Sequence, residues 1–423
     1  MAKGAVETEI CIVGAGPAGL AAAAAASGHC PVTIVDENPH PGGQIWRADA
    51  RHGVDPEVTE ILDRVSTRGY SLIKQATVVA APAPNTLLAE TPDGPCTITY
   101  RQLILATGAR ERFLPFPGWT LPNVMGAGGL QALVKGGLDI TGRRVLIAGS
   151  GPLLPAVAAF LRQRGALVVL IAEQAPLRRL LRFGLTVLGD PVKLRQAVSL
   201  RQQLSGIRYL TDTYPVAADG DDRVRLVILQ RGARVWSVAC DYLACGFHLV
   251  PNLELAMLLG CRIVEGRVEV DEWQRTSISG VFSAGESTGV GGLDLSLLEG
   301  RIAGLVAAGN EREARALVGR RDRARRFARQ IDRAFELTEV LRDLPSDQTI
   351  VCRCEDVSLG QLRPHNSWRA GKLQTRCGMG SCQGRICGPA IEFLLGWRAE
   401  SIRPPILPAR VGTLPGTLSR IDN

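Results

Sequence analysis

Short runs of apolar residues recur along the chain, and several of them stop at glycines. The first run, Ile10 to Val13, is followed by a glycine turn, an alanine-rich segment and a second apolar run that ends at Asp36. Short apolar runs that stop at glycines are typical of buried parallel strands, and an alanine-rich segment favours a helix. We therefore predict a strand, a turn, a helix and a second strand at the N-terminus.

The same order recurs in the middle of the chain. An apolar run leads to Gly149-Ser150-Gly151, a helical segment follows, and another run ends at Glu173. Further apolar runs lead into Thr107-Gly108 and into Gly285-Glu286. Alternating strands and helices predict an α/β fold, and the repeated unit predicts two nucleotide-binding-type domains.

One strongly basic segment, residues 320–344, has a helical period instead. Its apolar side chains recur at nearly helical spacing, at Phe327, Ile331, Phe335 and Leu337. Acidic residues interrupt the segment and stacking aromatic residues are few, which argues against a nucleic-acid-binding arm. We interpret the segment as a solvated helix that links domains or docks an acidic partner.

Length and composition fit a globular protein of two or three domains, with 423 residues of which 46% are hydrophobic. The first residues lack the charged-then-apolar order of a signal peptide. The best candidate for a membrane span, Val145 to Leu161, has Gly-Ser-Gly-Pro at its centre, which favours a strand, a turn and a helix. We expect a cytoplasmic protein with no transmembrane segment. Peripheral contact with the inner membrane through an electron acceptor stays open.

Each glycine of the first turn has a distinct mechanical role in a nucleotide site. Gly14 allows the tight turn, Gly16 lets the backbone approach a pyrophosphate, and Gly19 lets the helix pack close to the strand. Asp36 is placed to accept hydrogen bonds from a ribose. A closed glycine turn without a ligand is the alternative. The predicted cofactor contacts here are Gly14, Gly16, Pro17, Ala18, Gly19, Asp36 and Glu37.

Three later segments resemble the FAD-binding elements of the two-dinucleotide-domain flavoproteins, the glutathione-reductase-like class. They are "PGGQ", "LILATGARER" and "GVFSAGESTGVGG", and the resemblance covers roughly residues 8–310. It implies FAD as the cofactor, with an acidic residue after the late glycine at the flavin ribityl chain. Glu286 stands there, where aspartate is more usual. The resemblance adds Gly43, Gln44, Thr107, Gly108, Gly285 and Glu286 to the predicted contacts.

The second glycine turn departs from the nucleotide-binding pattern, because Leu154 occupies its third glycine position. A leucine there keeps helix and strand farther apart and reshapes the phosphate cradle. Gly149, Gly151 and Glu173 are the candidate contacts of a second nucleotide. NAD, another nucleotide and a purely structural domain all stay open, and Glu173 favours NAD over NADP because an acid repels a ribose phosphate.

No catalytic side chain is predicted. The disulfide reductases of this fold class need a cysteine pair close to the flavin, and "GGQIWR" after Pro41 contains no cysteine. Cys240 and Cys245 are interpreted as small apolar core residues. The histidines are scattered, and no paired acid and base stands near a plausible substrate loop. Electrons must therefore leave the flavin by another route.

Cysteines are concentrated near the C-terminus, as Cys352-x-Cys354 and Cys382-x4-Cys387. Four thiolates suit zinc or an iron-sulfur cluster. The one-residue spacing and "GMGSCQGRICGP" resemble the bacterioferritin-associated-ferredoxin-like 2Fe-2S domain. By its spacing Cys377 could replace Cys382 or Cys387. The resemblance instead assigns ligation to Cys352, Cys354, Cys382 and Cys387, and leaves Cys377 as a packed neighbour.

Over nearly its whole length the chain resembles the FAD-containing A or alpha subunit of hetero-oligomeric amino-acid dehydrogenases. That family includes D-hydroxyproline and proline dehydrogenases, opine (octopine and nopaline) oxidases and hydrogen cyanide synthase. The resemblance implies an oxidoreductase that serves CH-NH donors as part of a complex, in which the partner, an FAD-dependent beta subunit, oxidises the amine. It leaves open which molecule accepts the electrons, and whether the complex contains a small third subunit or an FMN at a subunit interface.

Two other functions stay open from the sequence: a self-sufficient NAD(P)H-dependent flavin oxidoreductase that reduces its own cluster, and an assembly protein with an inert flavin. The expected domains are an FAD-binding domain (1–115 and 253–310), a NAD-binding-like domain (116–252), a basic helical linker (311–345), a 2Fe-2S domain (346–410) and a tail (411–423).

Overall fold

The computed structural model describes residues 4–66, 70–399 and 401–413. The strands of these residues are, in chain order, β1 (Ala5–Val13), β2 (Val32–Val35), β3 (Tyr70–Ile73), β4 (Thr77–Ala83), β5 (Thr86–Thr91), β6 (Gly94–Leu105), β7 (Ala109–Glu111), β8 (Val124–Gly126), β9 (Arg144–Ser150), β10 (Leu167–Glu173), β11 (Arg208–Leu210), β12 (Tyr214–Asp219), β13 (Leu226–Arg231), β14 (Arg234–Ala239), β15 (Tyr242–Phe247), β16 (Leu249–Pro251), β17 (Ile263–Val264), β18 (Arg267–Val268), β19 (Val281–Ser283), β20 (Ile350–Cys352) and β21 (Val357–Ser358).

The α-helices of the same residues are α1 (Pro17–Ala26), α2 (Pro56–Ser66), α3 (Ala127–Lys135), α4 (Leu153–Gln163), α5 (Leu177–Val187), α6 (Pro191–Gln203), α7 (Glu254–Leu258), α8 (Gly292–Ala307), α9 (Glu311–Ala334), α10 (Leu359–Leu362), α11 (Trp368–Thr375) and α12 (Cys387–Leu395). Short 3-10 helices cover Gly285–Thr288, Glu339–Asp343 and Val411–Thr413. The predicted α/β class is confirmed.

The chain divides into two compact units. The first unit contains Met1–Arg110, Val250–Ala328 and Glu400–Asn423, and the second contains Glu111–Leu249 and Arg329–Ala399. The chain leaves the first unit within β7, returns to it within β16, and leaves it again within α9.

The first unit is built on a sheet with strand order β3-β2-β1-β6-β5-β4, to which β19 adds beside β6. Strands β3, β2, β1, β6 and β19 are parallel, whereas β5 and β4 are antiparallel to their neighbours. Ile10, Ile12 and Ile34 are buried in its core with the alanines of α1. The predicted strand, turn, helix and strand at the N-terminus are therefore confirmed as β1, α1 and β2.

Helices α1 and α8 lie unusually close together. A Cβ atom added at Gly300 would lie 2.1 Å from the carbonyl oxygen of Ala18, and one at Gly304 would lie 2.2 Å from that of Ala22. Real Cβ atoms do not approach that closely, so glycine is required at both positions. The small residues of α1 and these glycines together bring the two backbones into contact.

A buried ion pair ties α9 to the same region. Glu299 of α8 has no exposed surface, and its Oε1 accepts a hydrogen bond from Arg325 Nε at 2.8 Å. Arg325 and Arg321 both donate to Gln274 Oε1, and Arg321 is only 2% exposed. The interpretation of the basic segment as a solvated helix is therefore wrong at these positions, because its arginines neutralise and hydrogen-bond buried polar groups.

The second unit contains a parallel sheet with strand order β11-β10-β9-β15-β8 and a separate antiparallel sheet β12-β13-β14. Leu146, Ala148 and Phe247 are buried between these elements. The cysteine-rich segment follows α9 in the same unit, with β20, β21 and α10 to α12.

Residues 401–413 pack on the first unit, although the sequence-based boundaries grouped most of them with the cysteines. Ile402 and Ile406 join the core around β4 and β6, and Arg410 N donates to Glu90 Oε2 at 2.7 Å. Apolar side chains in a short C-terminal segment do not reveal which core they join. Within the described residues no helix is long and apolar enough to cross a bilayer.

We predict that Gly300→Ala destabilises the first unit, because the added methyl group would overlap the Ala18 carbonyl in the α1–α8 contact. Overpacking of this kind costs about 1–3 kcal/mol. Urea unfolding followed by circular dichroism would show a lower midpoint.

Gly319→Ala in α9 is the matched control, since a Cβ there meets nothing within 4 Å. It should raise the stability by about 0.5–1 kcal/mol, as expected for a helical glycine replaced by alanine. An unchanged midpoint in the Gly300 variant would contradict the close contact.

Candidate cofactor sites

The turn between β1 and α1 can be formed only with glycine at two positions. Gly14 has φ of +108°, and a Cβ there would lie 2.2 Å from the carbonyl oxygen of Ala106. A Cβ at Gly19 would lie 1.8 Å from the carbonyl oxygen of Gly14. The tight turn and the close helix packing that the sequence predicted for these glycines are both present.

Gly16 and Gly43 face each other beside the N-terminus of α1. Gly16 is the N-cap residue of α1, with φ of −78°, and a Cβ there would approach only Gly43 Cα, at 3.8 Å. Gly42 N also donates to the Ala15 carbonyl at 2.8 Å, which holds the Gly42-Gly43 turn against the turn between β1 and α1. The first turn of α1 thus lies beside two glycines, which suits a pyrophosphate that must approach the backbone closely.

Asp36 lies directly after β2 and beneath the glycine turn. Its carboxylate accepts hydrogen bonds from Ala15 N and from both the backbone and side-chain nitrogens of Asn38. Oδ1 accepts two of these hydrogen bonds, whereas Oδ2 accepts one and has a further lone pair, which leaves capacity for a ribose hydroxyl. Glu37, which the sequence placed in the same site, is exposed, and the role of both acids toward a ribose stays a prediction.

The segment at Thr107 and Gly108 is tied to the strand by which the chain returns to the first unit. Thr107 Oγ1 donates to the Asn252 carbonyl at 2.8 Å, and Asn252 Nδ2 donates back to the Thr107 carbonyl at 2.8 Å. Arg110 Nη1 donates to Asn252 Oδ1 at 2.7 Å. Sequence reasoning assigned no role to Asn252, because nothing local signals a partner 145 residues away.

Gly285 and Glu286 follow β19 and lie next to α1 and α8. A Cβ at Gly285 would lie 2.7 Å from Ala18 Cβ, and Gly285 N donates to Glu299 Oε2 at 3.0 Å. Glu286 Oε1 accepts from Gly292 N, the first residue of α8, at 2.9 Å. Glu299 is the residue that sequence reasoning missed, and its signal was an acid directly after the apolar pair Leu297-Leu298 in the middle of α8.

The second glycine turn, in the second unit, begins like the first with a glycine of positive φ, but its other glycine differs, because Gly151 has a positive φ and Gly16 does not. Gly149 has φ of +139°, and a Cβ there would lie 1.9 Å from the Gly246 carbonyl oxygen. Gly151 has φ of +118°, and a Cβ there meets nothing within 4 Å. Leu154, at the position of the missing third glycine, is fully buried in the core.

The carboxylate of Glu173 accepts a hydrogen bond from a backbone N–H group of this turn. Its Oε2 accepts from Gly151 N at 2.9 Å, and its Oε1 accepts from Ala175 N at 2.8 Å. Burial raises the pKa of Glu173 to about 7, although these hydrogen bonds oppose the shift. One backbone N–H group of this turn is therefore already bound by a carboxylate of the chain itself.

The chain also covers this edge of the sheet with residues 335–338. Ser150 Oγ donates to the Phe335 carbonyl at 2.8 Å, and Gln174 Nε2 donates to the Glu336 carbonyl at 3.1 Å. Thr338 Oγ1 donates to Gln174 Oε1 at 2.9 Å. Open α/β sheets bind ligands outside the carboxyl ends of their strands, and β9 and β10 end here.

A second carboxylate occupies a helix N-terminus at the same edge. Glu111 Oε1 accepts from Gly128 N at 2.8 Å and Oε2 from Gly129 N at 3.1 Å, at the start of α3. Burial raises the pKa of Glu111, and these backbone hydrogen bonds oppose the shift. Acidic side chains thus take the places where helix N-termini would attract phosphate.

Five thiols come together in the C-terminal part of the second unit. The sulfur atoms of Cys352, Cys377 and Cys387 all lie within 4.8 Å of one another, and each residue is 1% exposed. Cys382 is half-buried and hydrogen-bonds with the thiols of Cys387 and Cys354. The structure thus brings the four predicted ligands together and adds Cys377 to the group.

The surroundings of two of these thiols, Cys352 and Cys382, favour the thiolate form that binds metals, whereas hydrogen bonding to neighbouring sulfurs raises the pKa of Cys377 and Cys387. Hydrogen bonds from Cys377 and Cys387 lower the pKa of Cys352, and the backbone N–H groups of Gly378 and Glu355 contribute. A hydrogen bond with Cys387 lowers the pKa of Cys382 to about 5. The donor set therefore fits a thiolate-ligated metal centre, which zinc or an iron-sulfur cluster could occupy.

The family model described as pyridine nucleotide-disulphide oxidoreductase matches residues 8–311. The chain belongs to this family. Membership implies FAD and an oxidoreductase function. It does not reach the cysteine-rich segment, so the 2Fe-2S domain stays a prediction.

Curated relatives match along most of the chain. The chain is 32% identical to hydrogen cyanide synthase subunit HcnB of Pseudomonas aeruginosa, covering 89% of this chain and 90% of that protein. It is 31% identical to the A subunit of opine oxidase from Rhizobium meliloti, covering 95% of this chain and 97% of that protein. The predicted kinship with these two proteins is confirmed.

Among solved structures, L-proline dehydrogenase from P. horikoshii has a similar fold. The TM-score is 0.68 at 18% identity, over 97% of this chain and 80% of that one. Thioredoxin reductase from T. acidophilum gives a TM-score of 0.57 at 20% identity, over 72% of this chain and 98% of that one. At these identities the likeness establishes the fold.

We predict that Gly16→Val abolishes FAD retention without loss of the fold. The backbone at Gly16 is acceptable to any residue, and a Cβ there meets the protein only at ordinary contact distance, so the side chain would mainly fill the space of the pyrophosphate. Flavin absorbance per chain after gel filtration measures retention. Thermal unfolding of the apoprotein checks the fold.

Gly319→Val, an exposed position on α9, is the control and should keep its flavin. Full flavin content in the Gly16 variant would show that the cofactor lies elsewhere.

Proposed function

We propose that the chain is the electron-transfer flavoprotein and iron-sulfur subunit of a hetero-oligomeric dehydrogenase. Its substrate is an amino or imino acid of the opine, D-hydroxyproline or proline type, and a partner flavoprotein subunit oxidises it. That oxidation removes two electrons and two protons from a CH–NH group and leaves an imine. FAD, when bound, accepts two electrons and releases them singly, which suits a 2Fe-2S cluster that accepts one.

The observation that carries this proposal is the covered edge of the second nucleotide-type sheet. Residues 335–338 lie across the ends of β9 and β10, while Glu173 takes the backbone donor of the glycine turn. If this cover keeps a nicotinamide out, a flavoprotein of this family has to receive its electrons from another source. In the first unit the glycine turns lie beside the N-terminus of α1. In this proposal the glycine turns of the two units therefore differ in function.

The relatives support the proposed class of substrate and the proposed partner subunit. One is named as a subunit of hydrogen cyanide synthase and another as a subunit of opine oxidase, so each works within a larger enzyme. The similar fold of L-proline dehydrogenase agrees with a CH–NH donor. Such an assembly is compatible with an FMN at a subunit interface and with a small third subunit.

The residues of the chain itself suit electron transfer better than proton transfer. His248, which stands where β15 ends, has φ of +74° and lies 3.4 Å from Asp332, so it contributes to the structure of the second unit. In this proposal FAD is held by the glycine turns of the first unit and Glu286. The cluster is held by Cys352, Cys354, Cys382 and Cys387.

We predict that NADH and NADPH leave the FAD of the isolated protein oxidised. The expected result of anaerobic stopped-flow mixing is no loss of the flavin's visible absorbance, because the nicotinamide edge is covered. Photoreduction of the same sample is the positive control and should bleach the flavin. Rapid bleaching by NADH would support the self-sufficient NAD(P)H-dependent oxidoreductase instead.

We also predict that the isolated chain does not oxidise proline, hydroxyproline, opines or glycine, and that adding the partner flavoprotein restores dye reduction. The measurement is anaerobic reduction of each flavin by these amines, with and without the partner. In the complex, Cys354→Ser with Cys382→Ser should slow electron exit more than reduction of the partner's flavin. Cys240→Ala, a buried thiol outside the cluster site, is the control.

Fast reduction of FAD by any of these amines in the isolated chain would place the substrate site here, and the partner-fed function would be wrong.

A further inference from the structure

The second unit exposes an apolar surface on two consecutive helices, α5 and α6. Among the described residues, exposed large apolar side chains are more concentrated here than anywhere else along the chain. Single apolar side chains on a surface are ordinary, whereas a concentration of this kind indicates a docking surface. Residues 177–203, which form the two helices, are called the α5–α6 surface below. This surface has no part in the proposed function.

Helix α5 has two apolar faces, and one of them already packs against the protein. Leu180 and Phe183 lie beside a small core of Ala175, Ala334 and Phe335. The ring centroids of Phe183 and Phe335 are 5.8 Å apart. One apolar face is enough to hold a surface helix on its domain, so packing within the second unit does not explain the other face.

The other face of α5 is a stripe of leucines. Leu177, Leu181, Leu185 and Leu188 follow one another at intervals of four, four and three residues, which places them on one side of a helix. Their exposed fractions are 49%, 63%, 70% and 61%. Helix α6 has no buried residue and adds Val198, which is 49% exposed. The stripe is therefore available to a partner outside the chain.

Basic side chains border this stripe. Arg178 and Arg182 are exposed and lie four residues apart, next to the leucines along α5. Residues 177–203 contain six basic side chains and one acid, Asp190. The carboxylate of Asp190 accepts hydrogen bonds from Val192 N and Lys193 N at the start of α6. The α5–α6 surface therefore combines exposed leucines with an excess of positive charge.

Two acids of neighbouring elements contact the first turn of α5. Asp212 Oδ2 accepts a hydrogen bond from Leu177 N at 3.2 Å, and Glu336 lies 3.8 Å from Arg179. Counting both of these acids still leaves the basic residues of the surface in excess. The partner that complements this surface is therefore anionic.

The side chains favour a lipid bilayer over a protein as that partner. The large exposed apolar side chains of α5 and α6 are leucines and valines, whereas the cores of protein interfaces are enriched in aromatic residues and methionine. A symmetric dimer of this chain would bring two surfaces of like charge together. Leucines along one side of a helix with arginines beside them are typical of helices that lie in the headgroup region of an anionic bilayer.

We propose that the α5–α6 surface binds the chain to an anionic lipid bilayer. The leucines of α5 enter the boundary between headgroups and acyl chains, and Arg178 and Arg182 contact the lipid phosphates. Helices α5 and α6 have 11 and 13 residues, whereas about 20 are needed to span a bilayer. The attachment is therefore peripheral, with the helices lying along the membrane surface.

The test is sedimentation of the full-length holoprotein with lipid vesicles. The wild type should bind vesicles that contain phosphatidylglycerol more tightly than vesicles of phosphatidylcholine alone, and added salt should weaken this binding by screening the charges. Leu181→Gln with Leu185→Gln should lower the partition coefficient at least about tenfold, because amide side chains do not enter the acyl boundary. Arg178→Gln with Arg182→Gln should remove most of the preference for phosphatidylglycerol.

Leu133→Gln with Leu373→Gln is the matched control, because these leucines are 51% and 60% exposed on α3 and α11 of the same unit. This variant should bind vesicles as the wild type does. Every substitution is at an exposed position, so flavin content and thermal unfolding should stay unchanged in all variants.

Wild-type protein that does not bind the phosphatidylglycerol vesicles would overturn the proposal, and so would a leucine variant of α5 that binds them as tightly as the wild type. If the wild type ignores vesicles and the same leucine variant loses self-association or binding of the partner subunit, the surface docks a protein and the proposal is wrong.

Discussion

Close contact between the backbones of α1 and α8 determines how the first unit is assembled. Gly300 and Gly304 allow this contact, and the neighbouring Glu299 accepts a hydrogen bond from Gly285 N. Gly285 in turn packs on Ala18, which lies in the first turn of α1. The late segment that carries Glu286 is thereby held beside the N-terminal glycine turn. Gly285 lies about 270 positions after Ala15, which is in the middle of that turn. A wider spacing of the two helices would separate both halves of the proposed FAD site.

Both units contain a glycine turn between a strand and a helix, but the surroundings of the two turns differ. In the first unit Gly16 and Gly43 leave the start of α1 without bulky side chains. In the second unit Glu173 binds the turn, and residues 335–338 cover the strand ends. A buried carboxylate at a helix N-terminus satisfies part of the positive end of the helix dipole, which weakens the attraction for a phosphate. The fold of a nucleotide domain is kept, and in the proposed function it binds no nicotinamide.

Sequence reasoning succeeded where the cause is local. Gly14 and Gly19 are required by the turn that contains them, and the alternation of apolar runs and helices predicted β1, α1 and β2. It failed where the partner is distant in the chain. Nothing in the residues after α9 predicts that they lie at the end of β9. Nothing in the basic pattern of α9 predicts that Arg321 is buried. Cysteine spacing located the thiol site but could not place Cys377 within it.

One physical device serves both proposed cofactor sites. Glycines remove side chains from a turn so that backbone N–H groups can approach negative charge. Gly16 and Gly43 do this at the start of α1, where the charge is a pyrophosphate, and the N–H groups of Gly378 and Gly384 do it for the sulfurs of Cys352 and Cys382. A backbone donor carries no net charge and cannot be lost by titration, so it stabilises an anion at any physiological pH. In the proposed function the chain holds charged redox groups and does not move protons, so it has more use for glycine than for histidine.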